Sequence, residues 1–415
     1  MKLAVTILCF CVAALLALGV VMLYSSSMVQ DGARYLIMQI IWCTLGLMGC
    51  LLMTLADYRF LKRIWWVLFA AALVLLVLVL IHGVGSVHGH ARRWFSYGRV
   101  NFQPSEFAKI ALVITLAWYV ERYQRQMSKW VRGIFVPCLM IGVIAALIFK
   151  EPDVGNALLI SAVSGILLMI GGVRLVYFLP PVIACLVAVG VFIAHNPMRS
   201  ERIHSWLHLE ETRRDKGQQA YEAMIALGSG GITGKGLGDS TQKLGFVPQH
   251  HTDFILCIIG EELGVVATLL IVAAFISIVV CGVYISVNAP DTFGLLLGSG
   301  ISFLIGLQAF INVGVVTSAL PNKGLPLPFI SYGGSNLVIM LALVGILLSI
   351  ARHSRVVEQR SAGAGDNERL SLNRSRGNPF RAPGRVEAAS SHRMHLEGRS
   401  STRLWTMAST PGLTS

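Results

Sequence analysis

Asp253 stands immediately before an apolar run that opens at Phe254, and Glu261 and Glu262 fall inside that run. A carboxylate at a membrane interface can take a proton from a hydroxyl in the headgroup layer, so Asp253 is a candidate general base. Seven residues make about two helical turns, which puts Gly260 below Asp253 and Glu261 about 80° round and roughly 12 Å deeper. Acids at that depth are costly and mark functional or cavity-lining positions. The competing reading is a buried pair of acids that fixes helix packing through Lys109 or an arginine.

Other charged residues gather on the same side of the chain. In ARRWFSYGRVNFQPSEFAKIAL, Ser105 is the expected helix N-cap and Glu106 suits the first turn. Lys109 lies one turn into a span, and its i,i+3 spacing from Glu106 allows an ion pair. Arg92 and Arg93 beside Trp94 suit an anionic headgroup. Glu151 and Asp153 flank a proline in EPDVGN, where Asp153 could also simply cap the next helix. The run GSGGITGKGLG, with Lys235 inside it and Lys243 beyond, could let backbone amides approach a phosphate, although no G-x-x-x-x-G-K-[ST] loop is present. Lys323, in LPNKGLPLPFISYGG, again suits an anion. His250 and His251 with Asp253 fit no zinc spacing, nor do His82, His88 and His90. A magnesium or manganese ion bridging substrate phosphates would need only one or two carboxylates.

The elements that must position these residues are transmembrane helices. The chain is 55% hydrophobic and 13% charged, against roughly 25% charged in soluble domains, which excludes a soluble enzyme. Apolar runs predict ten spans near 3–24, 35–55, 64–82, 105–120, 134–149, 155–172, 175–194, 254–286, 293–320 and 335–351. The expected fold is therefore an all-α polytopic membrane protein with a long extracytoplasmic loop, 195–253, between helices 7 and 8. All eight cysteines lie in apolar runs without ligand spacing and read as small buried residues. Ten spans place both termini on one side. Arg59, Lys62 and Arg63 in one connection, and Arg122, Arg125, Lys129 and Arg132 in another, put that side in the cytoplasm. The candidate residues then all face outward. Residues 352–415 carry eleven arginines against five acids and little apolar pattern, and read as a disordered basic tail on a 1–351 membrane domain.

Taken together, RRWFSYGRVNFQPSEFAKIA, EPDVGNALL, ALGSGGITGKGLGDSTQK, HTDFILCIIGEELG and LPNKGLPLPFISYGGSN resemble the SEDS family (shape, elongation, division and sporulation) of bacterial membrane proteins. The resemblance spans about residues 10–352, and PNKGL is closer to the division-type members than to the elongation type. It implies an inverting peptidoglycan glycosyltransferase of the inner membrane that polymerises lipid II on the outer face at the septum. A class B penicillin-binding protein would cross-link the strands. It makes Asp253 the essential acid and implies substrate contacts from Arg93, Trp94, Glu106, Lys109, Gln219, Lys243, Lys323 and Ser331. Glu261 and Glu262 would shape the cavity beneath. Members commonly have Gln at position 151 and Glu at position 249, where this chain has Glu151 and Gln249.

Two other classes fit ten charged-residue-bearing spans: a lipid II flippase and a division scaffold. A transporter is expected to show an internal repeat and a midplane site. This sequence shows no clear repeat, and its informative residues crowd one face. A scaffold would leave Lys109, Glu261 and Glu262 without a purpose.

Overall fold

The computed structural model describes residues 1–27, 34–88, 91–97, 100–195, 197–212, 217–240, 252–322 and 324–354, all within one compact unit, Met1–Arg360. Every predicted span is a helix. They are α1 (Lys2–Ser27), α2 (Arg34–Leu55), α4 (Trp65–Leu80), α5 (Pro104–Arg122), α6 (Val136–Lys150), α7 (Val154–Ile170), α8 (Leu179–Ala194), α11 (Ile255–Val287), α12 (Thr292–Val316) and α13 (Gly334–Ser354). A short α3 (Arg59–Arg63) follows α2. The tail beyond Ser354 lies outside the described residues.

Two regions expected to be loop are structured. Residues 83–104 fold into a three-stranded antiparallel sheet, β1 (Ser86–His88), β2 (Ala91–Tyr97) and β3 (Val100–Phe102), in that order. The outer loop carries α9 (Pro197–Leu207) and α10 (Gln218–Ser229). One predicted cap is corrected. The helix α5 starts at Pro104 with Gln103 as its N-cap, and Ser105 is buried in the first turn. Proline is favoured at the first helical position because its fixed φ is helical and its missing N–H would be unpaired there anyway.

The bundle is centred on α5, α12 and α13; α2 lies at its edge, mostly exposed to the lipid space. Association inside a membrane rests on close packing of small residues, since lipid is as apolar as leucine. Where α11 crosses α12, Gly282 faces Ser302 and Gly298 faces Ser286 so closely that a Cβ at either glycine would collide with the serine hydroxyl. By contrast α8 packs chiefly on its chain neighbours, the 175–178 turn and α9, and none of its described side chains is buried.

The helix α12 measures the bundle. At its start Asp291 accepts bonds from Gly294 N, Tyr58 OH and Arg59 Nε, at 2.7, 2.9 and 3.0 Å. Near its end Asn312 reaches Asp253. Twenty-one residues of helix separate these points by about 31 Å, one hydrocarbon thickness. The basic connections and the Asp253 face therefore lie at opposite ends of the bundle.

Candidate active site

Asp253 sits in the turn 252–254 that enters α11 and is partly open to solvent. Two residues of other elements hold it. Asn312 Nδ2 donates to the Asp253 carbonyl at 2.8 Å and to the Leu325 carbonyl at 2.7 Å, tying the turn to the irregular segment after α12. Gly324 backs the carboxylate: a Cβ there would lie 2.7 Å from Asp253 Oδ2. Burial first, and the charge of Asp153 second, push the Asp253 carboxyl up to about 7, with Arg93 acting in the opposite direction. A base is most effective when its pKa lies near the working pH, so this is a usable value.

The neighbouring EPD turn is fixed from two sides. The Arg93 guanidinium, on β2, donates to the carbonyls of Glu151 and Pro152 at 2.8 and 2.7 Å. Asp153 caps α7, accepting from Asn156 N at 3.1 Å, and it also takes bonds from Asn156 Nδ2 and Gln103 Nε2. The helix-capping reading of Asp153 therefore holds. Glu151 is fully buried, and among the described residues neither of its carboxyl oxygens has a hydrogen-bond partner. Burial, then Asp153, raise its carboxyl to about 9 against the pull of Arg93, so it carries its proton at neutral pH. A protonated glutamate has the shape and neutrality of a glutamine.

Below this face lies a buried polar chain. Lys109 Nζ contacts Glu106 Oε1 at 2.8 Å and Gln308 Oε1 at 2.9 Å, while Asn336 Nδ2 donates to the other Glu106 oxygen at 2.8 Å. Gln308 Nε2 continues to the Pro326 carbonyl at 2.9 Å. Glu106 and Lys109 pair as their spacing predicts, but at 1% and 0% exposure they are matched to protein groups and not presented to a ligand. Their work is to lock α5, α12, α13 and the 320–331 segment together. An isolated charge at this depth would be untenable, whereas a fully hydrogen-bonded pair persists.

The stretch 325–331 is irregular backbone inside a membrane protein, tolerated because nearly all of it is buried in protein. Ser331, expected at the substrate, closes a turn instead: Leu327 N donates to its hydroxyl at 2.8 Å and its own N–H donates to the Leu327 carbonyl at 3.1 Å. Phe329 within that turn is buried at φ +66°, a conformation bulky residues avoid. Gln219, on α10, accepts from Asn322 Nδ2 at 3.0 Å and so reaches the start of the 320–331 segment. Trp94 is half-buried in β2, its carbonyl held by Ser86.

The glycine-rich run has a different job from the phosphate cradle expected of it. The helix α11 breaks at Gly264, where φ is +77°. The carbonyls of Glu261 and Glu262 thereby lose the amides of Val265 and Val266, their usual partners one turn on. Lys235 N and Gly236 N donate to those two carbonyls at 3.0 Å, and Val265 N and Val266 N donate to Gly231 O and Ile232 O. The run straps the break, so tightly that a Cβ at Gly234 would collide with the Glu262 carbonyl. The Glu261 side chain takes Lys235 Nζ at 2.7 Å and the Ser240 hydroxyl. Ser25, on α1, donates to Glu262 at 2.7–2.8 Å. Both acids are thus matched to protein groups, Glu261 to Lys235 where Lys109 or an arginine was the expected partner.

Lys243, Lys323, Gln249, His250 and His251 lie outside the described residues. Among the described ones no group of three or more His, Cys, Asp or Glu could hold a metal. Sequence reasoning missed Asn312, Gln308 and Gly324. The first two carried a signal: an i,i+4 amide pair inside a 25-residue apolar helix.

The family model of the FtsW, RodA and SpoVE cell cycle proteins matches residues 5–356. The chain is 40% identical over 352 residues to a probable peptidoglycan glycosyltransferase FtsW of Trichlorobacter lovleyi, covering 83% of this chain and 92% of that one. It is 36% identical over 351 residues to the stage V sporulation protein E of Bacillus subtilis, covering 82% and 95%. Among solved structures, a peptidoglycan synthase complex described for its coordination of polymerization and crosslinking contains a chain that superposes with a TM-score of 0.70 at 29% identity, covering 84% and 97%. The Thermus thermophilus rod shape determining protein RodA superposes at 0.62 with 27% identity, covering 83% and 95%. A superposable fold and a family match over residues 5–356 make this chain a member of the FtsW/RodA/SpoVE family, the multi-pass SEDS membrane proteins.

Proposed function

We propose that this chain is an inverting peptidoglycan glycosyltransferase that polymerises lipid II on the outer face of the bacterial inner membrane, at the septum, beside a class B penicillin-binding protein. The observation that carries the reading is Asp253: a carboxylate of pKa about 7, backed by Gly324, on a turn whose backbone carbonyl Asn312 holds, at one end of a membrane bundle. A sugar 4-hydroxyl attacks the anomeric carbon of a second sugar. Asp253 accepts the hydroxyl proton as the new C–O bond forms, and the undecaprenyl diphosphate departs with the electrons of the broken bond. Positive charge must balance the leaving group. Lys109 and Lys235 are paired with acids, so Arg93 is the described candidate, and Lys243 and Lys323 are the other two. A single displacement inverts the anomeric centre.

The names of the relatives support the activity and the division role: the probable FtsW of Trichlorobacter lovleyi is 40% identical over 83% of this chain. The synthase complex, in which polymerization is coordinated with crosslinking, supports a cross-linking partner. The crowding of polar groups at one end favours an enzyme over a flippase, which needs a midplane site. The division of labour follows: residues 1–351 hold the chemistry, and the basic tail 352–415 meets anionic lipid on the cytoplasmic side. Any divalent cation arrives with the diphosphate. The test is polymerisation of lipid II by the purified chain with its class B partner, comparing wild type with Asp253→Asn. Polymer from the wild type and none from the variant, with partner binding intact, is the expected result. Equal polymer from both removes Asp253 as the base, and lipid II translocation without polymer replaces the enzyme with a transporter.

A further inference from the structure

The connection between α5 and α6 lies at the end of the bundle opposite Asp253, tied to α3 by the Lys62–Glu121 ion pair at 2.6 Å. It is a folded element, not a slack loop. Gln124–Gln126 form a 3₁₀ turn, and Val131–Phe135 form a π-helical turn that runs into α6. Tyr119 OH donates to the Arg132 carbonyl at 2.9 Å, and the buried Met127 lies so close beneath Gly133 that no Cβ would fit there. Between the two turns is a concavity of about 520 Å³ lined by Gln126, Lys129, Trp130, Val131 and Arg132.

Three features of this concavity point to one ligand. First, its cations lack acids. Among the described residues neither Lys129 nor Arg132 forms an ion pair, and Arg132 is held in place by the Gln126 side chain and by the Tyr123 ring, 5.1 Å from its guanidinium carbon. Second, its rim is aromatic and outward-facing. Trp130 is 52% exposed and stacks on Phe135, with ring centroids 5.8 Å apart, as interfacial anchors do. Third, the rim leads onto apolar surface of α6, where Phe135, Leu139 and Val143 are exposed along one side. Cations at headgroup depth, an interfacial indole and an adjoining apolar helix face fit a phosphodiester that carries acyl chains. We propose that this concavity binds the headgroup of an anionic phospholipid of the cytoplasmic leaflet, with the phosphate between Lys129 and Arg132 and the chains along α6. The site is separate from the chemistry at the other end of the bundle.

The test is native mass spectrometry of the full chain released from zwitterionic detergent, titrated with phosphatidylglycerol. Phosphatidylcholine of the same acyl chains and inorganic phosphate serve as parallel probes. Lys129→Gln should weaken phosphatidylglycerol binding about fivefold, and Lys129→Gln with Arg132→Gln about thirtyfold. Phosphatidylcholine should bind equally to all forms, and inorganic phosphate should not compete. A second double variant, Lys2→Gln with Arg174→Gln, removes the same charge from the same face outside the concavity and should leave the affinity within twofold. Equal weakening by both double variants would replace the site with a diffuse positive surface. Competition by inorganic phosphate would make it a soluble-anion site. Binding of a Glu-rich peptide that Lys129→Gln abolishes, with lipid affinity unchanged, would make it a protein-docking site.

Discussion

Replacing Arg93 with glutamine removes the positive charge that, among the described residues, lowers the Asp253 pKa, while the charge of Asp153 stays. With Arg93 present the carboxyl titrates at about 7, so about half of the molecules hold an ionised base at pH 7. Loss of a nearby opposite charge moves a carboxyl up by about one pKa unit. The ionised fraction at pH 7 then falls to about one in ten, and the polymerisation rate drops about fivefold. The assay is initial rate of glycan synthesis from lipid II between pH 5.5 and 9.5, with the class B partner present. The wild-type profile should rise through about 7, and the Arg93→Gln profile should rise about one unit later, to a plateau lowered by whatever Arg93 contributes to balancing the leaving diphosphate. Arg93→Lys keeps the charge and should keep the midpoint. A variant that loses the same factor at every pH would refute the electrostatic reasoning and leave Arg93 as an anchor for the 151–153 turn. The same shift has a stability sign. The folded chain holds the Asp253 proton more tightly than the unfolded chain, so this group's contribution is complete below pH 3.8 and is lost as pH rises through about 7. The loss is at most on the order of 4 kcal/mol, because water reaches the carboxylate. Asp253→Asn should accordingly melt higher than wild type at pH 8 and equally at pH 4.

Gly324→Ala places a methyl 2.7 Å from Asp253 Oδ2, so polymer synthesis should fall at least tenfold while the melting temperature changes little. Asn312→Leu strands two carbonyls, of Asp253 and Leu325; it should cost about 1–3 kcal/mol in thermal unfolding and lower kcat more than it raises KM. Lys109→Met leaves the Glu106 carboxylate buried without its cation and should cost about 3–5 kcal/mol, read as loss of folded protein in detergent. The double variant Lys109→Met with Glu106→Gln should recover most of that loss and polymer synthesis with it, and the return of activity is what a direct role for Lys109 in substrate binding would not allow.

Hydropathy and charge alone determined the ten helices and their order, and gathered Asp253 with the other candidate residues at one end of the bundle. These follow from local rules: a span must be long and apolar, and lysine and arginine mark the cytoplasmic side. The Glu106–Lys109 pair was also legible, because i,i+3 spacing is a property of one helix. Partners between helices were not. Glu261 finds Lys235 and Ser240, and Glu262 finds Ser25, through contacts more than 20 residues apart in sequence. The glycine run resembled an anion cradle because glycine composition is the same whether the nearby group is a phosphate or a broken helix. Only the fold shows that Gly264 interrupts α11 and that the run supplies the missing hydrogen bonds. Likewise the grip of Asn312 on Asp253 depends on where α12 ends relative to α11. That is set by packing across the bundle and written in no single stretch of the chain.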